Sequence, residues 1–134
     1  MTKARPFIAV VDDEEPIRRA LTRLLQSAGL DAEAFDSGAK FLESIPPHRP
    51  DCVVLDLHMP GINGFEVLER FAAQYTPVAV IVLTGHDKPG NAERVRALGA
   101  ADYLLKPVND QVLLDAIESV LNRGSSELDA RQKG

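Results

Sequence analysis

The sequence predicts an α/β fold: a doubly wound, five-stranded parallel sheet with strand order 2-1-3-4-5, built as (βα)₅. Three observations carry this. Short apolar runs alternate with segments of helical periodicity, the pattern of a parallel sheet covered on both faces. Right-handed crossovers between such strands wind helices onto both sides of the sheet. A length of 134 residues suits one compact domain that buries a core without disulfides or structural metals.

The strands are expected at Phe7 to Val11, Asp31 to Phe35, Cys52 to Asp56, Val78 to Leu83 and Ala101 to Leu105. The clearest helix is the first, because Ile17, Ala20, Leu21, Leu24, Leu25 and Ala28 recur at helical spacing while Arg18, Arg19, Arg23 and Gln26 fall opposite. Pro16 suits its first turn and Gly29 its end. Further helices are expected at Gly38 to Ser44, Gly64 to Gln74, Asn91 to Leu98 and Asp110 to Asn122. Residues 1–122 thus form the domain. The segment Arg123 to Gly134, with Gly-Ser-Ser followed by mixed charge, reads as a flexible tail or a truncated linker.

Composition removes several function classes. The single cysteine, Cys52, sits in an apolar run and reads as a small buried hydrophobe, which fits a reducing compartment. No stretch approaches the ~20 apolar residues that span a bilayer, and Met1-Thr2-Lys3-Ala4-Arg5 leads into an apolar run broken by Asp12 and Asp13. A cytoplasmic protein without membrane contact is expected. The net charge of −5, from 20 acidic and 15 basic side chains, offers no footprint for a nucleic-acid backbone, so direct nucleic-acid binding by this chain is not expected.

A doubly wound sheet binds ligands at the carboxyl ends of its strands. Asp12 and Asp13 close the first strand, Asp56 the third, Thr84 the fourth and Lys106 the fifth, so one topology brings all five to the same edge. Three clustered carboxylates repel one another, which a cation between them relieves, and hard oxygen ligands suit Mg²⁺. Taken alone, Asp12, Asp13 and Glu14 also suit the N-terminus of the first helix. Asp56 ends an almost wholly apolar strand, and a carboxylate facing a pocket can attack phosphorus to give an aspartyl phosphate. Phosphoryl transfer asks the protein for positioning and charge neutralisation, so a metal, a hydroxyl and a cation are the useful neighbours. Thr84 and Lys106 supply the last two, although a strand-end Thr is also a plain β former and a Lys a plain surface charge. Pro107 after Lys106 is a candidate for a cis bond that would aim the lysine into the cleft. Gly85 leaves room beside Thr84 and equally suits a turn.

Four motifs in order resemble the receiver domain of two-component response regulators, over roughly Phe7 to Leu121. They are Val10-Val11-Asp12-Asp13-Glu14; Asp56-Leu57-His58-Met59-Pro60-Gly61 with Gly64; Leu83-Thr84-Gly85-His86; and Gly99-Ala100-Ala101-Asp102-Tyr103-Leu104-Leu105-Lys106-Pro107. The resemblance implies that Asp56 accepts the phosphoryl group, with Mg²⁺ held by Asp12, Asp13, Asp56 and the backbone carbonyl of His58. It implies that Thr84 and Lys106 bind the phosphoryl oxygens and that Tyr103 is the switch aromatic; a half-buried strand aromatic is the plainer reading of Tyr103. The implied donor is a sensor histidine kinase or a histidine phosphotransfer protein docking near the first helix, where Arg18, Arg19 and Arg23 are candidate contacts or a solvated face. The output face, toward a downstream effector or a second copy, would be the fourth helix, fifth strand and fifth helix. His58 and His86 fall where the family influences water attack on the acyl phosphate, so they either tune its lifetime or face solvent. The domain would support its own phosphorylation and dephosphorylation without turning over separate substrates.

Other readings share the fold. A regulatory half of a truncated DNA-binding transcription factor keeps the same chemistry. An aspartyl-phosphate phosphohydrolase of the haloacid dehalogenase type wants an aspartate where this chain has His58. A flavin-binding module shares the flavodoxin-like order 2-1-3-4-5, but Asp12-Asp13-Glu14-Glu15 would repel the flavin phosphate.

Overall fold

Alternate residues along the central strands face opposite ways, and this period of two creates two cores, one on each side of the sheet. The computed structural model describes residues 5–45, 49–74 and 78–133, the side chains of residues 72–74 and 123–133 excepted. Met1 to Ala4 and Gly134, which figure in the expectations above, lie outside the described residues. The strands are β1 (Phe7–Val11), β2 (Asp31–Phe35), β3 (Cys52–Asp56), β4 (Ala79–Thr84) and β5 (Asp102–Leu105). The helices are α1 (Glu15–Ser27), α2 (Gly38–Ser44), α3 (Gly64–Gln74), α4 (Asn91–Ala97) and α5 (Asp110–Lys133). All neighbouring strands pair in parallel, in the order β2-β1-β3-β4-β5.

One core joins Ala9, Val11, Val53, Leu55, Val80 and Val82 of the sheet to Phe41 of α2, Phe71 of α3 and Val95 of α4. The other joins Ile8, Val10, Cys52, Val54, Ile81 and Leu83 to Leu21 and Leu25 of α1 and Leu113 and Ile117 of α5. Cys52 is fully buried and its thiol is pushed up to about 12, by burial first and by the Asp51 charge second. It packs as an inert hydrophobe. The strand β2 departs from the Val/Ile-rich pattern: Asp31-Ala32-Glu33-Ala34-Phe35 lies at the sheet edge and buries only Phe35 fully.

Strand β4 starts and ends one residue later than expected, at Ala79 and Thr84, and β5 begins at Asp102 rather than Ala101. Gly29, at φ 85, follows α1 in the left-handed conformation that a helix end favours for glycine. One boundary differs by more. α5 was expected to stop at Asn122 and instead continues to Lys133. Glu127, Leu128, Ala130, Arg131, Gln132 and Lys133 are strong helix formers, and they outweigh the breaking tendency of Gly124. No helix among the described residues is long and apolar enough to cross a membrane.

Candidate functional site

The sheet register delivers the site. β1 and β3 run side by side with Val11 opposite Leu55, so Asp12 and Asp56 emerge together one residue further along each strand. Both are buried, with Asp12 2% and Asp56 4% exposed, while Asp13 faces solvent. Carboxylate oxygens of Asp12, Asp13 and Asp56 all lie within 4.8 Å of one another. The helix-cap reading holds only in part. Glu14 at the α1 N-cap makes no side-chain cap bond, and Asp12 Oδ1 accepts from the Glu14 backbone N–H at 2.9 Å. The other oxygen of Asp12 accepts from Lys106 Nζ at 2.8 Å.

Lys106 follows β5, whose own register to β4 places Thr84 opposite Leu105, and its backbone N–H donates to the Thr84 carbonyl at 2.8 Å. The Lys106–Pro107 bond is cis. The lysine side chain is 14% exposed and lies 3.5 Å from Asp56 Oδ1 and 3.8 Å from Glu14 Oε1. Burial works against its ammonium, but the bond to Asp12 and the charges of Asp12, Asp56 and Glu14 prevail and raise its pKa. The Asp56 carboxyl is pushed up to about 6, by burial first and by the Asp12 charge next, with Lys106 opposing. Three acids and one ammonium leave an excess of negative charge in a partly dry pocket. The hard oxygens of that pocket match what a small divalent ion such as Mg²⁺ requires.

Thr84 is fully buried. Its hydroxyl accepts from the His86 backbone N–H at 3.0 Å and donates to the His86 carbonyl at 3.3 Å. Gly85 lies between them, and a Cβ there would meet nothing within 4 Å, so no protein atom demands a glycine at that position. Gly64 is different. A Cβ at Gly64 would sit 2.7 Å from the Asp56 carbonyl oxygen and 2.7 Å from Leu57 Cα, so the start of α3 presses directly on the backbone that carries Asp56.

Tyr103 is half-buried, and its hydroxyl donates to Asp87 Oδ1 at 2.9 Å. His58 is half-buried and His86 is exposed, and their rings meet edge to face with centroids 4.7 Å apart. Of the three arginines on α1, Arg18 donates to the Asp12 carbonyl at 2.9 Å, and Arg19 pairs with Glu15. Sequence reasoning missed Asp87 as the partner of Tyr103 and the approach of Glu14 to Lys106. Neither stands out by spacing, because each gains its partner only when separate loops meet. It also missed Arg94 of α4, whose guanidinium lies 3.9 Å from the centre of the Phe65 ring in α3.

Fold and pocket together define a doubly wound α/β domain with a buried aspartate at a lysine-guarded acidic edge. The chain belongs to the response regulator receiver domain family, whose model matches residues 8–118. It is similar to the transcriptional regulatory protein FixJ of Bradyrhizobium diazoefficiens, at 40% identity over 116 residues, covering 87% of this chain and 57% of that protein. A solved response regulator receiver protein from Burkholderia phymatum is 44% identical, with a TM-score of 0.78 over 88% of this chain and 96% of that one. The chemotaxis protein CheY4 of Vibrio cholerae is 31% identical, with a TM-score of 0.81 over 87% and 99% of the two chains. The chain spans just over half the length of curated relatives such as FixJ.

Proposed function

We propose that this receiver domain accepts a phosphoryl group on Asp56 from a phosphohistidine donor and switches its α4–β5–α5 face in response. The observation that carries the reading is the meeting of the buried Asp56 with Asp12, Asp13 and Lys106 in one pocket. An Asp56 oxygen attacks phosphorus, the P–O bond forms as the P–N bond to the donor imidazole breaks, and the departing imidazole keeps the electron pair and takes a proton. Asp12, Asp13, Asp56 and the His58 carbonyl would hold Mg²⁺, which when bound neutralises phosphoryl charge. Lys106 gives its ammonium to a phosphoryl oxygen, and Thr84 turns its hydroxyl from the His86 carbonyl to another.

The donor, a sensor histidine kinase or histidine phosphotransfer protein, docks against α1. Support comes from an open cavity of about 540 Å³ beside the pocket, lined by Pro16, Ile17, Ala20, Leu83, Lys106 and Pro107 among others. Arg18, Arg19 and Arg23 stand along the same helix. For the output face, the support is that the exposed large hydrophobics, Leu105 and Val112, belong to β5 and α5. A downstream effector or a second copy binds there. Tyr103 turns inward as Thr84 moves, and His58 and His86 govern how water reaches the acyl phosphate. The domain works in the cytoplasm and turns over no separate substrate.

Binding of beryllofluoride, a mimic of the phosphoryl group, tests the reading. Binding that requires Mg²⁺ and disappears in Asp56→Asn is expected. Full phosphoryl labelling of Asp56→Asn by a cognate kinase would refute it. A second reading makes this the regulatory half of a longer DNA-binding transcription factor, favoured by its likeness to just over half of the transcriptional regulatory protein FixJ. The size of the native gene product, measured by immunoblot, decides between them.

A further inference from the structure

We propose that His58 and His86 form a second cation site, for a borderline divalent ion of the Zn²⁺ or Cu²⁺ class, distinct from the acidic pocket in ligand chemistry. The two imidazoles come from different loops, His58 just after β3 and His86 just after β4, yet their ring centroids lie 4.7 Å apart at an interplanar angle of 77°. A metal at about 2.0 Å from an imidazole nitrogen lies about 3 Å from the ring centre, so two rings on one tetrahedral ion stand about 5 Å apart. The observed separation is close to that value.

A second observation points the same way. Among the described residues, His58 Nε2 is the buried side-chain polar atom that has no hydrogen-bond partner. Such an atom costs free energy unless something coordinates it. A cavity of about 440 Å³ opens beside His58, lined also by Leu57, Met59, Pro60, Asn63 and Phe65, and gives that ring room to adjust. Imidazole is the preferred ligand of Zn²⁺ and Cu²⁺ and a poor one for Mg²⁺, so the two neighbouring sites select different ions. An ion held by both histidines ties the loop after β3 to the loop after β4. Water completes its coordination.

The test uses the full chain without an affinity tag, in a His48→Gln background so that the third histidine cannot contribute. Zn²⁺ is titrated calorimetrically with Mg²⁺ saturating, and Cu²⁺ is followed by electron paramagnetic resonance. The expected results are one Zn²⁺ per chain, binding that survives Asp13→Asn, and a nitrogen hyperfine pattern from two imidazoles on Cu²⁺. Both His58→Gln and His86→Gln should weaken Zn²⁺ by roughly tenfold or more. Circular dichroism on each variant shows that the fold persists. An absence of nitrogen hyperfine structure in the parent chain, Zn²⁺ affinity unchanged in both histidine variants, or binding lost in Asp13→Asn would each overturn the proposal.

Discussion

Asp56 occupies a position that folding makes uncomfortable for a charge. Unfolded, its carboxyl ionises near 3.8, and in the native pocket near 6. Between those values the native state holds the extra proton, so stability falls as pH rises, by about 3 kcal/mol in full. Metal-free Asp56→Asn should therefore be more stable than the parent at neutral pH by about 1–3 kcal/mol, with the gain fading below about pH 4. Urea denaturation at several pH values in chelator measures this, and a gain that persists undiminished in acid would contradict the cause given. For Lys106 it is the charged form that the pocket favours. Its raised pKa means that it stabilises the fold at all pH values below its unfolded value and loses that effect in strong alkali. Removing it leaves two buried carboxylates facing each other.

At the level of the element, the turn from β3 into α3 combines a left-handed Gly61, at φ 77, with a close approach at Gly64. The Gly64 N–H donates to the Leu57 carbonyl at 3.0 Å, and Asn63 and Glu66 exchange side-chain bonds to each other's backbone N–H at 3.3 and 3.0 Å, a reciprocal cap for the helix start. This cap brings α3 so near the strand that only a hydrogen fits at Gly64. Gly64→Ala should destabilise the protein by about 1–3 kcal/mol through overpacking against backbone that cannot yield. It should also weaken beryllofluoride binding, because the displaced atoms include the Asp56 carbonyl. Unaltered chemical shifts around Asp56 in that variant would show that the contact is not tight.

Across the whole molecule, two contacts hold the β4–α4 loop and β5 in one arrangement: the Thr84 hydroxyl with the His86 backbone, and the Tyr103 hydroxyl with Asp87. Under the proposed switch, both must be exchanged for the phosphoryl-bound arrangement, so each biases the population against it. Asp87→Ala removes one without touching the pocket. It should tighten beryllofluoride binding severalfold, as expected when a weak stabiliser of the competing state is lost. Equal affinity in parent and variant would mean that the Tyr103 hydroxyl bond is the same in both states. The cation–π contact of Arg94 on Phe65 adds a further tie between α4 and α3.

Much of this was legible in the residues. Unbroken apolar runs at Ile8 to Val11 and Cys52 to Leu55 dictated strands with two buried faces, and parallel pairing with right-handed crossovers then left one edge on which Asp12, Asp13, Asp56, Thr84 and Lys106 had to meet. Local pattern is enough for that, because backbone hydrogen bonding and side-chain period act over a few residues. Other features depended on atoms far apart in the chain coming into contact: Lys106 choosing Asp12 over Asp56 for its shortest bond, His58 meeting His86, and Tyr103 finding Asp87. Distances of this kind turn on loop paths and on how closely α3 and α4 pack. The end of α5 was a local question too, yet helix propensity past Gly124 carried the helix on to Lys133. The sequence by itself determined which side chains share the pocket; the tertiary structure decided which pairs touch and how their charges shift, because burial and Coulomb interaction vary over ångströms that no spacing rule resolves.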